Sequence, residues 1–232
     1  MHVLGAPPLS FDLPAYGSPQ AIDLLTGALV ACGAVVIGLA GLAAFPIAYR
    51  AFHWLRHPIL IPLAGGFVLG ILGLIGGPIT MFKGLEQIGE LLQDPDQYDG
   101  TQLAVIAGIK ILALVVAASA LFRGGRIFPA TFIGVALGML GHVLIPGIPL
   151  GLAVACGVLG VVLVVGRDGW LAIFLGVAIP DDITLLPMLC VIVLPAWLLV
   201  SRAPEFRIVP PEPAPATAAS PEPDMPDAAS AR

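Results

Sequence analysis

The sequence predicts an all-α polytopic membrane protein with about six to eight tilted and partly broken transmembrane helices. Three observations support this class. Hydrophobic residues make up 58% of the 232 residues and charged residues only 11%, whereas a soluble domain carries about 25% charged residues. The apolar residues form runs near or above the roughly 20 residues that cross a bilayer. The 28 glycines and 23 prolines are more typical of membrane helices than of soluble ones.

Apolar runs account for the predicted spans in chain order. They lie at 24–48, 58–82, 103–122, 127–166, 169–180 and 183–200. The run 127–166 is long enough for two helices, and Pro146 and Gly147 predict the turn between them. The run 169–180 is too short to cross alone, so we expect it to cross as a short helix or to form half of a broken pair. Irregular backbone at that depth needs cover from protein or a water-filled cavity.

Basic residues occupy alternate connections between these spans, and this pattern predicts the orientation. They are Arg50, Arg56, Arg123, Arg126, Arg167, Arg202 and Arg207. The intervening connections hold only Lys83, which lies beside an acidic loop at 86–99. Because basic loops stay in the cytoplasm, we expect an extracytoplasmic N-terminus, a cytoplasmic C-terminus and insertion in the inner (plasma) membrane.

Three segments follow from this pattern. Residues 1–20 are typical of an extracytoplasmic loop and lack the basic start of a signal peptide. Residues 21–202 form the membrane domain. Residues 203–232 alternate proline, alanine and acidic residues, which predicts a disordered cytoplasmic tail.

The sequence also disfavours several function classes. It contains no glycine-rich nucleotide turn, HExxH or GxSxG pattern, so we predict no enzyme and no catalytic residue. It has no basic stripe, which argues against a nucleic-acid partner. Cys32, Cys156 and Cys190 lie apart in apolar runs, so neither a disulfide framework nor a metal site is indicated. We expect no cofactor other than a bound ion.

Lys110 is the one charge inside an otherwise uncharged span, and such charges need a partner or a polar cavity. It is expected to pair with backbone carbonyls or a half-helix, or else to attract anions electrostatically. Glycines four residues apart recur in the spans, at Gly66/Gly70, Gly73/Gly77, Gly134/Gly138 and Gly147/Gly151. This spacing predicts close helix packing, with close approach of backbone to an ion as the alternative.

The most informative stretch is the basic turn before the fourth span. It consists of Gly124, Gly125, Arg126, Ile127, Phe128 and Pro129, preceded by Arg123. Proline is tolerated in a first helical turn because its amide would have no intrahelical acceptor. The free amides of such a turn and the positive end of the helix dipole form an anion site. From the residues alone, an anion site and a plain cytoplasmic turn are equally supported.

Two further polar positions have simpler interpretations. Asp181 and Asp182 are expected to cap the last helix, with cation binding as the alternative. His142 is expected to be packed or interfacial rather than a ligand.

Together these residues resemble a known family. The stretch 124–129, followed by Gly134 and Gly138, resembles the anion-binding turn of the CLC chloride channels and proton/chloride antiporters. The segments 157–188 and 65–78 resemble the family's last helices and one of its glycine-rich helices. Within the family, the nearest likeness is to a bacterial branch of ion-transport proteins. The resemblance covers about residues 9–203, nearly everything outside the tail.

The resemblance implies the second half of the CLC inverted-repeat fold, with about residues 21–202 as the membrane domain. It implies a chloride ion held by the amides of Arg126, Ile127 and Phe128, with Lys110 as possible electrostatic support. The family's first half supplies a serine-containing turn and a gating glutamate, and neither has a match here. The chain is therefore expected to be N-terminally truncated or to need a second chain. Family proteins are homodimers, so the first span and the last helices would face a partner copy.

The predicted function is therefore anion transport, most simply of chloride, across the membrane. Channel activity and proton-coupled antiport stay open, as does the identity of the anion. The alternatives are a membrane assembly module that moves nothing, and a carrier for another anion such as fluoride.

Overall fold

The structure is a computed structural model that describes residues 11, 13, 14, 16, 17, 20–81, 84–122 and 124–203. In this part of the chain every regular element is helical, which confirms the all-α class. The α-helices are α1 (Ala21–His53), α2 (Leu60–Gly76), α3 (Leu85–Gln93), α4 (Gly100–Ser119), α5 (Ile127–Leu144), α6 (Leu150–Gly166), α7 (Gly169–Ala178) and α8 (Leu186–Arg202). Short 3₁₀ turns lie at Pro78–Thr80, Pro95–Gln97 and Ile183–Leu185.

The helices follow the predicted spans closely. The run 127–166 divides into α5 and α6, and Gly147 between them has a φ of 89°, as a tight turn requires. The helical segments long and apolar enough to cross a membrane are Ala21–His53, Gly100–Ser119, Ile127–Leu144 and Ile183–Arg202. The helix α7 has only 10 residues, so it covers about 15 Å, half of a hydrocarbon core.

The helix α3 was not predicted, because the segment 86–99 was interpreted as an acidic loop. Its apolar residues Ile88, Leu91 and Leu92 are buried, while Glu86 and Glu90 are not. The spacing of three and four residues places these apolar side chains on one face. The helix therefore packs against the ends of the spans instead of crossing between them.

The pair α5 and α6 forms the centre of the molecule. Ten consecutive residues of α5, from Ala130 to Met139, are buried, and α6 is buried from Gly151 to Val164. A Cβ placed on Gly138 would lie 2.5 Å from the Ala153 carbonyl oxygen. The predicted packing role of the Gly134/Gly138 pair is therefore confirmed.

Most of the charged residues lie near helix ends, and basic and acidic residues concentrate at opposite ends of the molecule. Arg167 donates from Nη2 to the Ala203 carbonyl oxygen at 3.1 Å, which joins the end of α6 to the end of α8. The same end, here the basic end, carries Arg50, Arg56, Arg126, Arg167 and Arg202, together with one acid, Asp168. The opposite, acidic end carries Asp23, Glu86, Glu90, Asp94, Asp96, Asp99, Asp181 and Asp182.

Some predictions fall on residues that the structure does not describe. The tail predicted at 203–232 lies outside the described residues except for Ala203, and so do Lys83, Arg123 and most of 1–20. Of the first segment, Phe11 donates its backbone N–H to the Ile179 carbonyl oxygen at 2.9 Å. This bond places Phe11 at the acidic end, beside the end of α7.

Candidate anion site

The stretch 124–129 begins α5, as the proline pattern predicts. Arg126 is the N-cap residue, and Pro129 lies in the first helical turn. The Ala130 amide donates to the Arg126 carbonyl oxygen at 3.1 Å, so the amides of Ile127 and Phe128 precede the first intrahelical bond. Amides in that position have no intrahelical acceptor. They are the donors that an anion would use.

The backbone of this turn is exposed at the surface of the described structure. Gly124, Gly125 and Arg126 are exposed. A Cβ on either glycine would meet no atom of the described residues within 4 Å, and neither glycine has a positive φ. The backbone here can therefore be approached by an anion or by another chain.

The turn is recessed relative to the far end of α1. The Ile127 side chain lies 3.7 Å from a Cβ placed on Gly166, so α5 begins level with the end of α6. Two residues earlier in α6, Val164 lies 3.5 Å from a Cβ placed on Gly38 of α1. From Gly38 to His53, α1 continues for about four turns, or about 22 Å.

Lys110 pairs with backbone carbonyls, which was one of its two predicted roles. It is only 3% exposed, and Nζ donates to the carbonyl oxygens of Thr80 at 2.8 Å and Met81 at 3.0 Å. The ammonium also lies 4.9 Å from the ring centroid of Phe132, in the second turn of α5. Its charge therefore lies beside the second turn of α5, and its hydrogen bonds hold the end of α2 against α4.

The remaining predicted polar residues lie at the acidic end, away from the turn. Asp182 accepts from the backbone N–H of Thr184 at 2.9 Å, so it caps the Ile183–Leu185 turn that leads into α8, whereas the N-cap residue of α8 itself is Leu185. His142 bonds through Nδ1 to the Ile148 carbonyl oxygen at 2.7 Å. A cavity of about 150 Å³ beside it is lined by Pro95, Asp96, Tyr98, Leu103, Met139, His142, Val143 and Leu150. Among the described residues, no three of His, Cys, Asp or Glu are arranged to hold a metal ion.

Sequence reasoning missed a buried carboxylate at the start of α1. Asp23 accepts from the Tyr16 hydroxyl at 2.6 Å and from the Gln20 amide at 3.1 Å. The Tyr16 amide donates to Asp182 Oδ2 at 2.8 Å. Burial, and then the hydrogen bond to Asp23, raise the pKa of Tyr16 well above its usual value. The spacing of Gln20 and Asp23 is that of a capping box, which was the available clue.

Comparison with known proteins fixes the family. The family model described as voltage gated chloride channel matches residues 2–201. The chain belongs to this family. Membership, together with helical segments long enough to cross a bilayer, makes it a multi-pass membrane protein.

Curated relatives carry the name "Putative ion-transport protein YfeO". The protein of Escherichia coli O9:H4 (strain HS) is 43% identical over 202 residues. Those of Escherichia coli K12 (strain DH10B) and of Escherichia fergusonii are each 42% identical over 202 residues. Each alignment covers 87% of this chain and 48% of the relative. The chain thus spans about half the length of the curated relatives it matches.

Proposed function

We propose that the chain is one half of an ion-transport protein and that chloride, or a similar anion, binds the backbone amides at the start of α5. The observation that carries the proposal is the open first turn of α5, where Ile127 and Phe128 amides without intrahelical acceptors adjoin two exposed glycines. Free amides and the positive end of a helix dipole together favour an anion. The relatives are also named as ion-transport proteins.

The amides, rather than Arg126, do most of the binding in this proposal. Arg126 is exposed, so water screens its charge and limits its contribution. An anion that moves through a site must also leave it, and a weaker contact favours exchange. Lys110 adds a positive charge near the second turn of α5 without donating to the anion, because it donates to Thr80 and Met81.

The chain supplies one wall of the pathway. In transporters built from inverted repeats, the substrate site lies where the two repeats meet, and the open side of the α5 turn provides such a surface. The other wall comes from a half that the relatives have outside the matched region. Two copies of the completed protein associate through α1 and α8. In α8, the apolar side chains of Val191, Leu194 and Leu198 are exposed and would lie in this interface.

In the proposed orientation, the basic end faces the cytoplasm. The described arginines all lie at this end and the described acids other than Asp168 at the opposite end, which supports the orientation because basic segments are retained on the cytoplasmic side. Gln97→Cys and Ser220→Cys, in a background without the native cysteines, test this with an impermeant thiol reagent added outside intact cells. We expect labelling of Gln97→Cys alone. Labelling of Ser220→Cys alone reverses the orientation.

The transport test uses a completed chain. The first half of the Escherichia coli relative is fused to this chain, purified and reconstituted in liposomes, and chloride efflux is measured. Gly125→Val adds a branched side chain where the anion would approach, and we expect at least a tenfold loss of flux. The matched control is Gly70→Val, because a Cβ on Gly70 also meets no described atom within 4 Å.

The Arg126→Ala variant separates the contribution of the backbone amides to chloride binding from that of the Arg126 guanidinium. We expect a change in chloride affinity below about tenfold, because a stronger loss would need a buried charge-assisted contact. Normal flux in Gly125→Val would show that the turn is not the site. A folded chimera that moves no chloride or fluoride would favour the assembly module instead.

A further inference from the structure

The connection between α1 and α2 is a second cationic surface, separate from the start of α5. The α1–α2 turn, defined here as residues 50–59, contains Arg50, His53, Trp54, Arg56 and His57. The sequence has no acidic residue from 24 to 85. In the part of the chain that the structure describes, no carboxylate lies within 4.0 Å of the Arg50 or Arg56 guanidinium. Among the described residues, no acid therefore neutralises the positive charge of this turn.

Backbone hydrogen bonds hold the turn in one shape. The Trp54 amide donates to the Arg50 carbonyl oxygen at 3.1 Å, and the Arg56 amide donates to the His53 carbonyl oxygen at 3.3 Å. Arg56 has a φ of 52°, a left-handed conformation that non-glycine residues seldom adopt. The His53 ring stacks on Tyr49 with 3.8 Å between ring centroids. Both guanidiniums remain exposed on this ordered frame.

Large apolar side chains accompany the exposed charges. Trp54 is 82% exposed, and Ile47 and Ile59 are 72% and 68% exposed. A dissolved anion would neutralise the arginines but leave these side chains in water. Apolar surface beside arginines that pair with no described acid is instead the pattern of the membrane interface, where rings and aliphatic chains enter the acyl region and guanidiniums meet phosphates.

We propose that the α1–α2 turn is a binding site for the phosphate headgroup of an anionic phospholipid. Arg50 and Arg56 donate to the phosphate oxygens, for which a guanidinium has the matching geometry. Trp54 and Ile59 lie against the glycerol and upper acyl chain. Each arginine near an anionic surface contributes about a fivefold enrichment of the lipid. The site does not depend on whether the chain moves ions.

Fluorescence quenching in vesicles tests the proposal. Trp170→Phe and Trp197→Phe leave Trp54 as the only tryptophan of the full chain. This protein is reconstituted in phosphatidylcholine vesicles containing 10% brominated lipid, either phosphatidylglycerol or phosphatidylcholine. We expect the brominated phosphatidylglycerol to quench Trp54 several-fold more strongly. Adding Arg50→Gln and Arg56→Gln should remove this preference, whereas the matched control Arg202→Gln, at another exposed arginine of the basic end, should keep it.

Quenching by brominated phosphatidylcholine monitors insertion in every variant, so a variant that fails to fold is recognised independently. Equal quenching by the two brominated lipids would overturn the proposal. So would a preference that survives Arg50→Gln with Arg56→Gln. A preference abolished by millimolar inorganic phosphate would show that the turn binds free phosphate rather than lipid, and would also overturn it.

Discussion

The helices α5 and α2 carry the same glycine spacing, yet they use it in opposite ways. In α5, a Cβ on Gly134 would lie 2.5 Å from the Cα atom of Val158, so the glycine is needed for α6 to approach. In α2, a Cβ on Gly70 would meet no described atom within 4 Å, and one on Gly66 only the Phe122 ring at 3.9 Å. The spacing permits close packing, but a facing helix must be present for the packing to occur.

The difference follows from where each helix lies. Ten consecutive residues of α5 are buried, whereas only Ile61, Gly65 and Gly73 are buried in α2. Leu63, Phe67 and Leu74 of α2 are exposed instead. Lipid tails are as apolar as these side chains, so no hydrophobic force pulls α2 inward. Its attachment depends on a few local contacts, and these contacts can be changed one at a time.

Among the substitutions that test this contrast, Gly138→Val should destabilise the fold most. The new side chain would overlap the Ala153 carbonyl oxygen and the Val154 Cα atom, which are backbone atoms that cannot rotate away. Overpacking of this kind costs about 1–3 kcal/mol where side chains can adjust, and more where backbone must move. We expect a loss above about 3 kcal/mol in the free energy of unfolding, measured by titration with denaturing detergent. Gly70→Val is the control, and an equal loss there would remove the contrast between the two helices.

Lys110→Met should have an intermediate effect, confined to α2. The substitution keeps the chain length but leaves the Thr80 and Met81 carbonyl oxygens without their donor. An unsatisfied buried polar group costs about 1–3 kcal/mol. Hydrogen exchange should become faster in α2 and the Pro78–Thr80 turn and stay slow in α5 and α6. Leu112→Met, at an exposed position of α4, should leave all rates unchanged, and uniform acceleration by Lys110→Met would contradict local attachment.

Alanine substitutions at two neighbouring glycines of α2 should change the free energy of unfolding in opposite directions. A Cβ on Gly65 would overlap the Cβ atom of Ala120, which is fully buried, whereas one on Gly66 would be in ordinary contact. Gly65→Ala should therefore lower the unfolding free energy by about 1 kcal/mol or more. Gly66→Ala should raise it by up to about 1 kcal/mol, because alanine favours the helix. The comparison fails if both variants shift stability in the same direction.

The smallest effect is expected from lowering the pH, which should weaken the hydrogen bonds of Asp182 outside α2 and α5. The hydrogen bond from the Thr184 hydroxyl and that from the Tyr16 amide lower the pKa of Asp182. A carboxylate with a lowered pKa stabilises the fold above its unfolded pKa of about 3.9 and loses that contribution as pH falls through the lower, folded value. Below about pH 4, proteolysis before α1 should therefore become faster, while α5 and α6 stay protected. Asp182→Asn should show the faster cleavage already at neutral pH, and Asp181→Asn should not.

Most of the fold is encoded locally and could be predicted from the sequence. The division of 127–166 into α5 and α6 follows from Pro146 and Gly147, and the short α7 follows from the length of its apolar run. The helix α3 could not be separated from a loop by charge alone, because its three buried residues matter only once the spans enclose them. The spacing of Gly66 and Gly70 also gave no sign that, among the described residues, no helix packs against these two glycines.

The candidate site was predictable to a similar extent. The position of Pro129 in a first turn and the carbonyl partners of Lys110 follow from general rules about amides and buried charge. The Tyr16–Asp23 hydrogen bond joins residues on either side of the start of α1, and Tyr16 is held there by its bond to Asp182, in the connection between α7 and α8. Contacts of that kind depend on tertiary structure. The anion itself stays a prediction.

The unequal lengths of the helices make bilayer thickness a variable for this protein. The helix α1 has 33 residues and α4, which also exposes apolar side chains, has 20, which correspond to about 50 Å and 30 Å, against a hydrocarbon core of about 30 Å. No single thickness matches both, so the lipids around α1 must stretch or the helix must incline. Acyl-chain length would then change the inclination of α1 and, with it, the depth of every group that α1 carries.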